Sequence, residues 1–134
     1  MVGDNAPRVL FVCVRNAGRS QMAAALFNRY AAGRARADSA GTRPSTHVHP
    51  EVIEVMREIG IDLTDIKPRL LTVDLAKGAV RAITMGCGDE CPVLSVPVED
   101  WALPDPSGQP LEVVREIRDD IDRRVLSLAS QLRI

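Results

Sequence analysis

The sequence has no long hydrophobic stretch and no marked excess of charge of either sign. No apolar run approaches the roughly 20 residues that a membrane-spanning helix needs. Residues 1–8 lack the basic-then-apolar pattern of a secretory signal peptide. The net charge of −1 argues against a nucleic-acid-binding protein and against a polybasic membrane-surface protein. We therefore expect a cytoplasmic protein that binds neither nucleic acid nor membrane.

Cysteine is also scarce. The chain has three cysteines, Cys13, Cys87 and Cys91, which is an odd number. A reducing cytoplasm does not sustain a static disulfide framework. These cysteines therefore indicate thiol chemistry, metal binding or plain burial.

What the chain does have is enough apolar sequence for one core and an uneven distribution of charge. Its 134 residues suit a single domain spanning residues 1–134, and the apolar content of 46% can fill one hydrophobic core. Residues 1–46 carry seven arginines and two aspartates, whereas the remainder is acidic. The basic half favours an anionic ligand, although an ordinary solvated surface could have the same composition.

The most informative segment is residues 9–20, where an apolar run ends on Cys13 and is followed by Arg19 and Ser20. The pattern predicts a strand, a tight loop and a helix. Backbone N–H groups of such a loop can converge on an anion, and the helix dipole adds positive potential. The guanidinium of Arg19 would bind a tetrahedral oxyanion in a bidentate manner. The same field favours the thiolate of Cys13, which is the nucleophilic form. The alternative is a buried thiol at a strand end, with Arg19 bonded locally.

Strand-like and helix-like segments alternate along the chain. We predict strands at residues 8–12, 35–39, 79–85 and 93–96, and helices at residues 20–32, 50–59, 70–76 and 111–132. Ser20 is the expected N-cap of the first helix, and residues 40–44 should end the second strand. The alternation predicts a three-layer α/β/α fold with a four-stranded parallel sheet. The loop after Cys13 would then lie at the carboxyl end of the first strand.

The segment Cys-Val-Arg-Asn-Ala-Gly-Arg-Ser at residues 13–20 resembles the phosphate-binding loop of one family. This family comprises the low-molecular-weight protein tyrosine phosphatases and the arsenate reductases that share their fold. The resemblance continues at residues 38–42, 61–63 and 101–108, and so covers nearly the whole chain.

The resemblance implies a role for each matching residue. Cys13 is the nucleophile, Ser20 hydrogen-bonds its thiol, Asn16 holds the shape of the loop, and Asp105 transfers a proton. The residues implied to bind the oxyanion are Val14, Arg15, Asn16, Ala17, Gly18 and Arg19.

Cys87 and Cys91 follow the third predicted strand, where thioredoxin-coupled reductases carry a redox pair. The resemblance implies that these thiols relay oxidation away from Cys13. Three alternatives stay open. The two cysteines could be inert thiols, or zinc ligands together with His47 and His49. Alternatively, only one of them reacts, and mycothiol or glutathione resolves the arsenic adduct.

The sequence also departs from the family pattern. Three residues separate Cys87 from Cys91, which is shorter than the usual relay spacing, and Gly86 and Gly88 would help the loop to move. Some relatives bind potassium through acidic side chains near the loop. Because Ala24 and Arg69 stand at those positions, we expect no structural metal, with the positive charge of Arg69 in its place.

Three further side chains have no assigned chemistry. We expect His47 and His49 to be surface loop residues and Trp101 to pack beneath the loop that carries Asp105. Arg15 could lie over the mouth of the oxyanion site or project into solvent.

We therefore predict an arsenate reductase that acts in arsenic detoxification as a monomer, without a cofactor. Arsenate is its substrate, phosphate and sulfate compete weakly, and thioredoxin recycles it. The enzymatic alternative is a low-molecular-weight phosphatase. Against that alternative, the chain has one Tyr and one Trp, and Ser107 follows the Asp-Pro pair where an aromatic residue could stack on a phenyl ring. A third possibility is a non-catalytic oxyanion sensor.

Overall fold

The computed structural model describes residues 6–86 and 94–134, so the predictions for Cys87, Gly88 and Cys91 lie outside the described residues. The described ranges contain four strands and four helices. The strands are β1 (Arg8–Cys13), β2 (Arg36–Gly41), β3 (Arg81–Thr84) and β4 (Val98–Asp100). The helices are α1 (Arg19–Ala31), α2 (Pro50–Arg57), α3 (Val73–Ala76) and α4 (Leu111–Gln131).

The four strands form one parallel sheet in the order β2-β1-β3-β4. Cys13 at the end of β1 is in register with Gly41 at the end of β2, and Thr84 in β3 is in register with Asp100 in β4. Because the strands are parallel, the carboxyl ends of all four lie at the same edge of the sheet. The predicted α/β architecture is confirmed.

The core is divided by the sheet into a large and a small part. Alternate residues of β1 point to opposite faces. Phe11 lies in the large cluster with residues of α1, α2 and α4, and contacts Phe27 and Trp101 with ring centroids 6.1 and 5.7 Å apart. Leu10 and Val12 lie in the small cluster, which α3 covers. Helices therefore cover both faces, but unequally.

The predicted fourth strand, residues 93–96, is wrong in position. The strand that pairs with β3 is Val98–Asp100. Leu94 and Val96 instead pack against the small core cluster from outside the sheet. Their apolar character therefore reflects coverage of a sheet face and does not mark a strand.

Three other element boundaries also differ from the prediction. The second strand continues through the expected break and ends at Gly41. The third strand is shorter than predicted, Arg81–Thr84. The third helix has one turn only and begins at Val73, where the Thr72 hydroxyl caps its N-terminus by accepting a hydrogen bond from Leu75 N at 3.1 Å. Leu70, expected in that helix, forms a parallel bridge with Gly41.

The first helix begins earlier than predicted, with Gly18 as its N-cap, so the assignment of Ser20 as N-cap is wrong. The Ser20 hydroxyl is engaged by Cys13 and Asn16 and caps no N–H group of the helix. Across the described ranges, no helix combines the length and apolar character needed to cross a membrane.

Candidate active site

Cys13 lies at the carboxyl end of β1, and only 3% of its surface is exposed. The backbone N–H of Asn16 donates to its Sγ at 3.2 Å. The hydroxyl of Ser20, in the first turn of α1, lies 2.8 Å from the same sulfur. A thiolate would accept hydrogen bonds from both groups, and these bonds would stabilise its charge.

The cysteine loop, residues 13–19, is held from outside by the segment that follows β2. Three of its carbonyl groups accept hydrogen bonds from backbone N–H groups of residues 43–49, at 2.8 to 2.9 Å. The pairs are Val14 with Arg43, Arg15 with Ser45, and Ala17 with His49. Because these carbonyls are bonded to the outer segment, the N–H groups of the loop remain as donors for an anion, as in a backbone nest.

Asn16 is fully buried behind the loop and has a left-handed backbone conformation, with φ 51°. Its Nδ2 donates to Ser20 Oγ at 2.8 Å, and its Oδ1 accepts from the backbone N–H of Arg69 at 3.0 Å. The side-chain amide of Gln21 donates to both the carbonyl oxygen and the Oδ1 of Asn16. These contacts hold Asn16 in a conformation that is unusual outside glycine.

Gly41 permits β2 to end directly against the cysteine loop. A Cβ atom at this position would lie 2.5 Å from the carbonyl oxygen of Val14 and 2.9 Å from the backbone nitrogen of Asn16. Only a residue without a side chain allows such a close approach of two backbones.

Arg19, the first residue of α1, connects the cysteine loop to the Asp105 loop, residues 101–110. Its Nη1 donates to the carbonyl oxygen of Leu103 at 2.8 Å. Gly18 lies against the same loop, because a Cβ atom there would be 2.8 Å from Pro106 Cγ. Asp105 is exposed, and its Oδ1 accepts from Ser107 N at 3.0 Å, which closes a local turn. The guanidinium and the carboxyl group are thereby brought to one opening.

These elements enclose a cavity of about 180 Å³, which suits a small tetrahedral oxyanion. Among the described residues, its lining contains no Phe, Tyr or Trp side chain. The lining residues are Cys13, Val14, Arg15, Ala17, Gly18, Arg19, Arg43, His49 and Asp105. Three arginines and a thiol on one small cavity form a setting for an anionic substrate and a nucleophile.

All the residues predicted to bind the oxyanion line this cavity except Asn16, which lies behind it together with the predicted thiol partner Ser20. Asn16 and Ser20 are fully buried and act on Cys13 from the rear of the loop. Arg15 lines the cavity and is otherwise exposed.

Arg69 does not approach Cys13 with its charged group. Its guanidinium donates to the carbonyl oxygen of Ser39 at 2.9 Å and pairs with Asp38 at 3.1 Å. The described residues contain no group of three or more His, Cys, Asp or Glu side chains that could hold a metal ion. The zinc alternative involves Cys87 and Cys91, which lie outside those residues.

Two cavity residues had no predicted role, Arg43 and His49. His49 lies in the loop before α2, as expected, but it is partly buried and lines the cavity. Arg43 follows the end of β2, and the carboxyl ends of neighbouring parallel strands lie together. The position of Arg43 just after β2 could therefore have indicated that it lies near Cys13. No such signal exists for His49, which reaches the cavity only because residues 42–49 fold back along the cysteine loop. Trp101 is buried and packs on Phe11 in the core.

The helix that follows His49 is attached to α4 by charged groups. Hydrogen bonds from Arg115 and Arg118 to Glu58 lower the pKa of that carboxyl group to about 2. Arg118 also donates to the carbonyl oxygen of Val55 in α2 at 2.8 Å. This attachment holds α2, and with it the wall of the cavity that contains His49.

Comparison with known proteins shows the family to which this chain belongs. The model of the family "low molecular weight phosphotyrosine protein phosphatase" matches residues 8–89. A candidate arsenate reductase of Halobacterium salinarum is 47% identical over 134 aligned residues, covering 96% of this chain and 94% of that protein. The glutaredoxin arsenate reductase of Synechocystis is 37% identical over 129 residues, covering 93% and 98% of the two chains.

A solved structure has the same fold. The thioredoxin-dependent arsenate reductase of Corynebacterium glutamicum superposes with a TM-score of 0.83 and 39% sequence identity. The match covers 98% of this chain and 64% of that chain, which is less than two thirds of its length. This chain therefore belongs to the low molecular weight phosphotyrosine protein phosphatase family and, within it, is similar to arsenate reductases.

Proposed function

We propose that this protein is an arsenate reductase of arsenic detoxification, in which Cys13, Cys87 and Cys91 form a disulfide relay recycled by thioredoxin. The observation that carries the proposal is the position of Cys13. Its sulfur is held by two hydrogen-bonding groups at a cavity of oxyanion size, beside Arg19 and the Asp105 loop. Phosphate and sulfate share the charge and the tetrahedral shape of arsenate, so they should compete for the same cavity.

The proposed chemistry begins with attack of the Cys13 thiolate on arsenic. A sulfur–arsenic bond forms, an arsenic–oxygen bond breaks, and Asp105 assists proton transfer to the departing oxygen. Arg19 and the loop N–H groups stabilise the negative charge that this step concentrates on the oxyanion. Arsenic is still As(V) in the resulting adduct.

The reduction takes place in the second step. Cys87 attacks the sulfur of Cys13, and a disulfide forms as the sulfur–arsenic bond breaks. The electron pair of that bond stays on arsenic, which leaves as As(III). Cys91 then attacks Cys87, which frees Cys13 and leaves a Cys87–Cys91 disulfide for thioredoxin to reduce.

The approach of the chain toward residue 87 supports this relay. Gly86 follows β3, the strand beside β1, and a Cβ atom on it would lie 3.1 Å from Arg19 Nη1. The backbone N–H of Gly86 donates to Asp100 Oδ1 at 3.1 Å, which fixes this point of the chain. The last described residue before Cys87 therefore lies next to the guanidinium of Arg19, on the side of the cavity.

The relatives of this chain use different electron donors. The printed names of the relatives specify thioredoxin for the Corynebacterium protein and glutaredoxin for the Synechocystis protein. If only one of Cys87 and Cys91 reacts, glutathione or mycothiol could resolve the adduct instead. Thioredoxin is preferred because two thiols follow β3 in this sequence.

A second candidate function is phosphatase activity, which the family name and the presence of Asp105 at the cavity favour. Hydrolysis would use Cys13, Arg19 and Asp105 without Cys87 or Cys91. Among the described residues, however, the cavity wall offers no Phe, Tyr or Trp ring to stack on a phenyl group. Weak hydrolysis of aryl phosphates is compatible with either function.

The test replaces Cys13, Cys87 and Cys91 singly with Ser. Arsenate-dependent NADPH oxidation is followed with thioredoxin and thioredoxin reductase, and hydrolysis of p-nitrophenyl phosphate is measured in parallel. The relay predicts that each substitution abolishes reductase turnover, whereas Cys87→Ser and Cys91→Ser leave aryl-phosphate hydrolysis unchanged. Ser107→Ala, on the exposed turn of the Asp105 loop, is a control that retains all three thiols.

Each other outcome selects an alternative. Full thioredoxin-coupled turnover in Cys91→Ser would mean that an external thiol resolves the adduct. Robust phosphate-ester hydrolysis with no arsenate turnover in the parent protein would favour the phosphatase. Binding of arsenate without turnover from any donor would indicate a sensor.

A further inference from the structure

His49 is fixed at the cavity by its own backbone. Its N–H donates to the carbonyl oxygen of Ala17 at 2.9 Å, and it is the residue before Pro50, where α2 begins. Its ring lies against Gly18, because a Cβ atom on Gly18 would be 3.4 Å from His49 Cδ2. The imidazole is therefore held on the cysteine loop and lines the same cavity as Cys13.

Within the described ranges, the ring of His49 makes no hydrogen bond, although it is partly buried. The other histidine of the chain provides a contrast. His47 is exposed, its Nδ1 lies 2.8 Å from Thr46 Oγ1, and it does not line the cavity. The ring nitrogens of His49 therefore have no hydrogen-bond partner among the described residues, and the imidazole lines the cavity.

The proposed reaction needs two protons from its surroundings. The arsenate dianion first takes the proton of the Cys13 thiol. The resulting arsenate monoanion, the Cys13 thiolate and one further proton give a thiol–arsenate monoanion and water. That adduct, the Cys87 thiol and one further proton give arsenous acid and a disulfide. Asp105 can supply the first proton, but after that transfer it is ionised, so a second donor would allow the steps to follow one another directly.

The charged and titratable groups that face His49 restrict the choice of that donor. From the cysteine loop these are Cys13, Arg15 and Arg19, and from the neighbouring segments Arg43 and Asp105. Arginines stay protonated at working pH and do not act as acids. Glu51, in the first turn of α2, is bonded to the backbone N–H of Gly108. Histidine is the side chain whose ordinary titration lies between pH 5 and 8.

The geometry points to His49 as the second proton donor of the cavity, an inference that rests on the proposed arsenate reductase function. When Cys87 attacks Cys13, the electron pair of the sulfur–arsenic bond stays on arsenic. His49 delivers a proton to an arsenic-bound oxygen, so that neutral arsenous acid leaves. His49 then takes a proton from solvent before the next turnover.

The test compares His49→Gln with the matched control His47→Gln in the full chain, with thioredoxin and its reductase. The rate constant kcat and its pH profile are measured at saturating arsenate. Binding is measured separately, as the arsenate concentration that protects Cys13 from alkylation by iodoacetamide. His49→Asn is the second variant, since Asn is a favourable residue before a helix and preserves folding.

Loss of a general acid predicts that His49→Gln and His49→Asn lower kcat by about 100-fold. We expect the decline of kcat toward high pH to disappear in both variants, and the protecting arsenate concentration to stay unchanged. His47→Gln should match the parent protein in every measurement. Added imidazole should partly restore kcat in His49→Ala, which a purely structural role would not allow.

Three outcomes would overturn the assignment. A parent-like kcat and pH profile in both His49 variants would exclude proton donation. Weaker arsenate protection with unchanged kcat would make His49 an anion-binding group only. If the parent protein fails to reduce arsenate with every thiol donor supplied, the proposed function itself fails and the assignment fails with it. Turnover in the parent therefore separates the two failures.

Discussion

Replacing Asn16 by Ala should damage both the stability of the protein and the reactivity of Cys13. Asn16 connects the cysteine loop to its support through three side-chain hydrogen bonds, with Ser20, Gln21 and Arg69. It is also held at φ 51°, where alanine is unfavourable. Asn16 thus holds the shape of the loop and also positions the Ser20 hydroxyl beside the thiol of Cys13.

The expected loss of stability follows from these contacts. Each hydrogen bond contributes about 1 kcal/mol, so that three contribute about 3 kcal/mol. A left-handed conformation costs an alanine roughly 1 kcal/mol more. We therefore expect Asn16→Ala to lower the free energy of unfolding by about 4 kcal/mol. Asn16→Gly loses the same bonds without the steric cost and should be about 1 kcal/mol more stable than Asn16→Ala.

Urea denaturation measures the free energy of unfolding, and the rate of iodoacetamide alkylation at pH 7 measures the reactivity of Cys13. The rate should fall by at least about tenfold, since a hydrogen bond to a charged group contributes about 1.5 kcal/mol or more. Asn28→Ala is the matched control. Asn28 also makes two side-chain bonds, both to the backbone of Ala37, but lies away from the cavity. The Asn28→Ala protein should lose stability, while its Cys13 should be alkylated at the parent rate.

The interpretation would be refuted by an Asn16→Ala protein that loses less than about 1 kcal/mol of stability and alkylates at the parent rate. It would also be refuted if Asn28→Ala slowed alkylation equally, because the effect would then reflect general loosening of the fold. Asn16→Asp separates the two roles further. It removes the Nδ2 donor to Ser20 while retaining the size of the side chain.

Two other predictions concern backbone packing and pH. Gly41→Ala should destabilise the protein by about 3 kcal/mol, because its Cβ would lie 2.5 Å from the carbonyl oxygen of Val14. The displaced cysteine loop should also bind phosphate more weakly, as measured by calorimetry. Unchanged phosphate binding would contradict this prediction. Glu58→Gln should lower the melting temperature at pH 7. Because the folded pKa of Glu58 is depressed to about 2, its contribution is complete above the ordinary value of 4.5 and is lost as the pH falls toward 2. The difference in melting temperature between the parent protein and Glu58→Gln should therefore become smaller as the pH is lowered. A difference that does not change with pH would disprove the stabilising role of ionised Glu58.

The local pattern around Cys13 carried much of the candidate site. An apolar run, a cysteine, a short loop and an arginine at a helix start are all within 12 residues, and their arrangement depends on backbone geometry alone. Asp105 was accessible only through the resemblance to a family, since nothing within its own loop relates it to Cys13. Cys87 and Cys91 stay predictions, because they lie outside the described residues.

The sequence by itself determined the order of strands and helices, the loop that carries the nucleophile and the sheet edge at which it lies. These features follow from hydrophobic periodicity and turn residues, which act between near neighbours in the chain. Only the tertiary structure decided that His49 and Arg43 face the oxyanion cavity, that Arg69 is turned toward Asp38, and that β4 begins at Val98. Those outcomes depend on contacts between segments distant in sequence, where packing and hydrogen-bond partners override local preference.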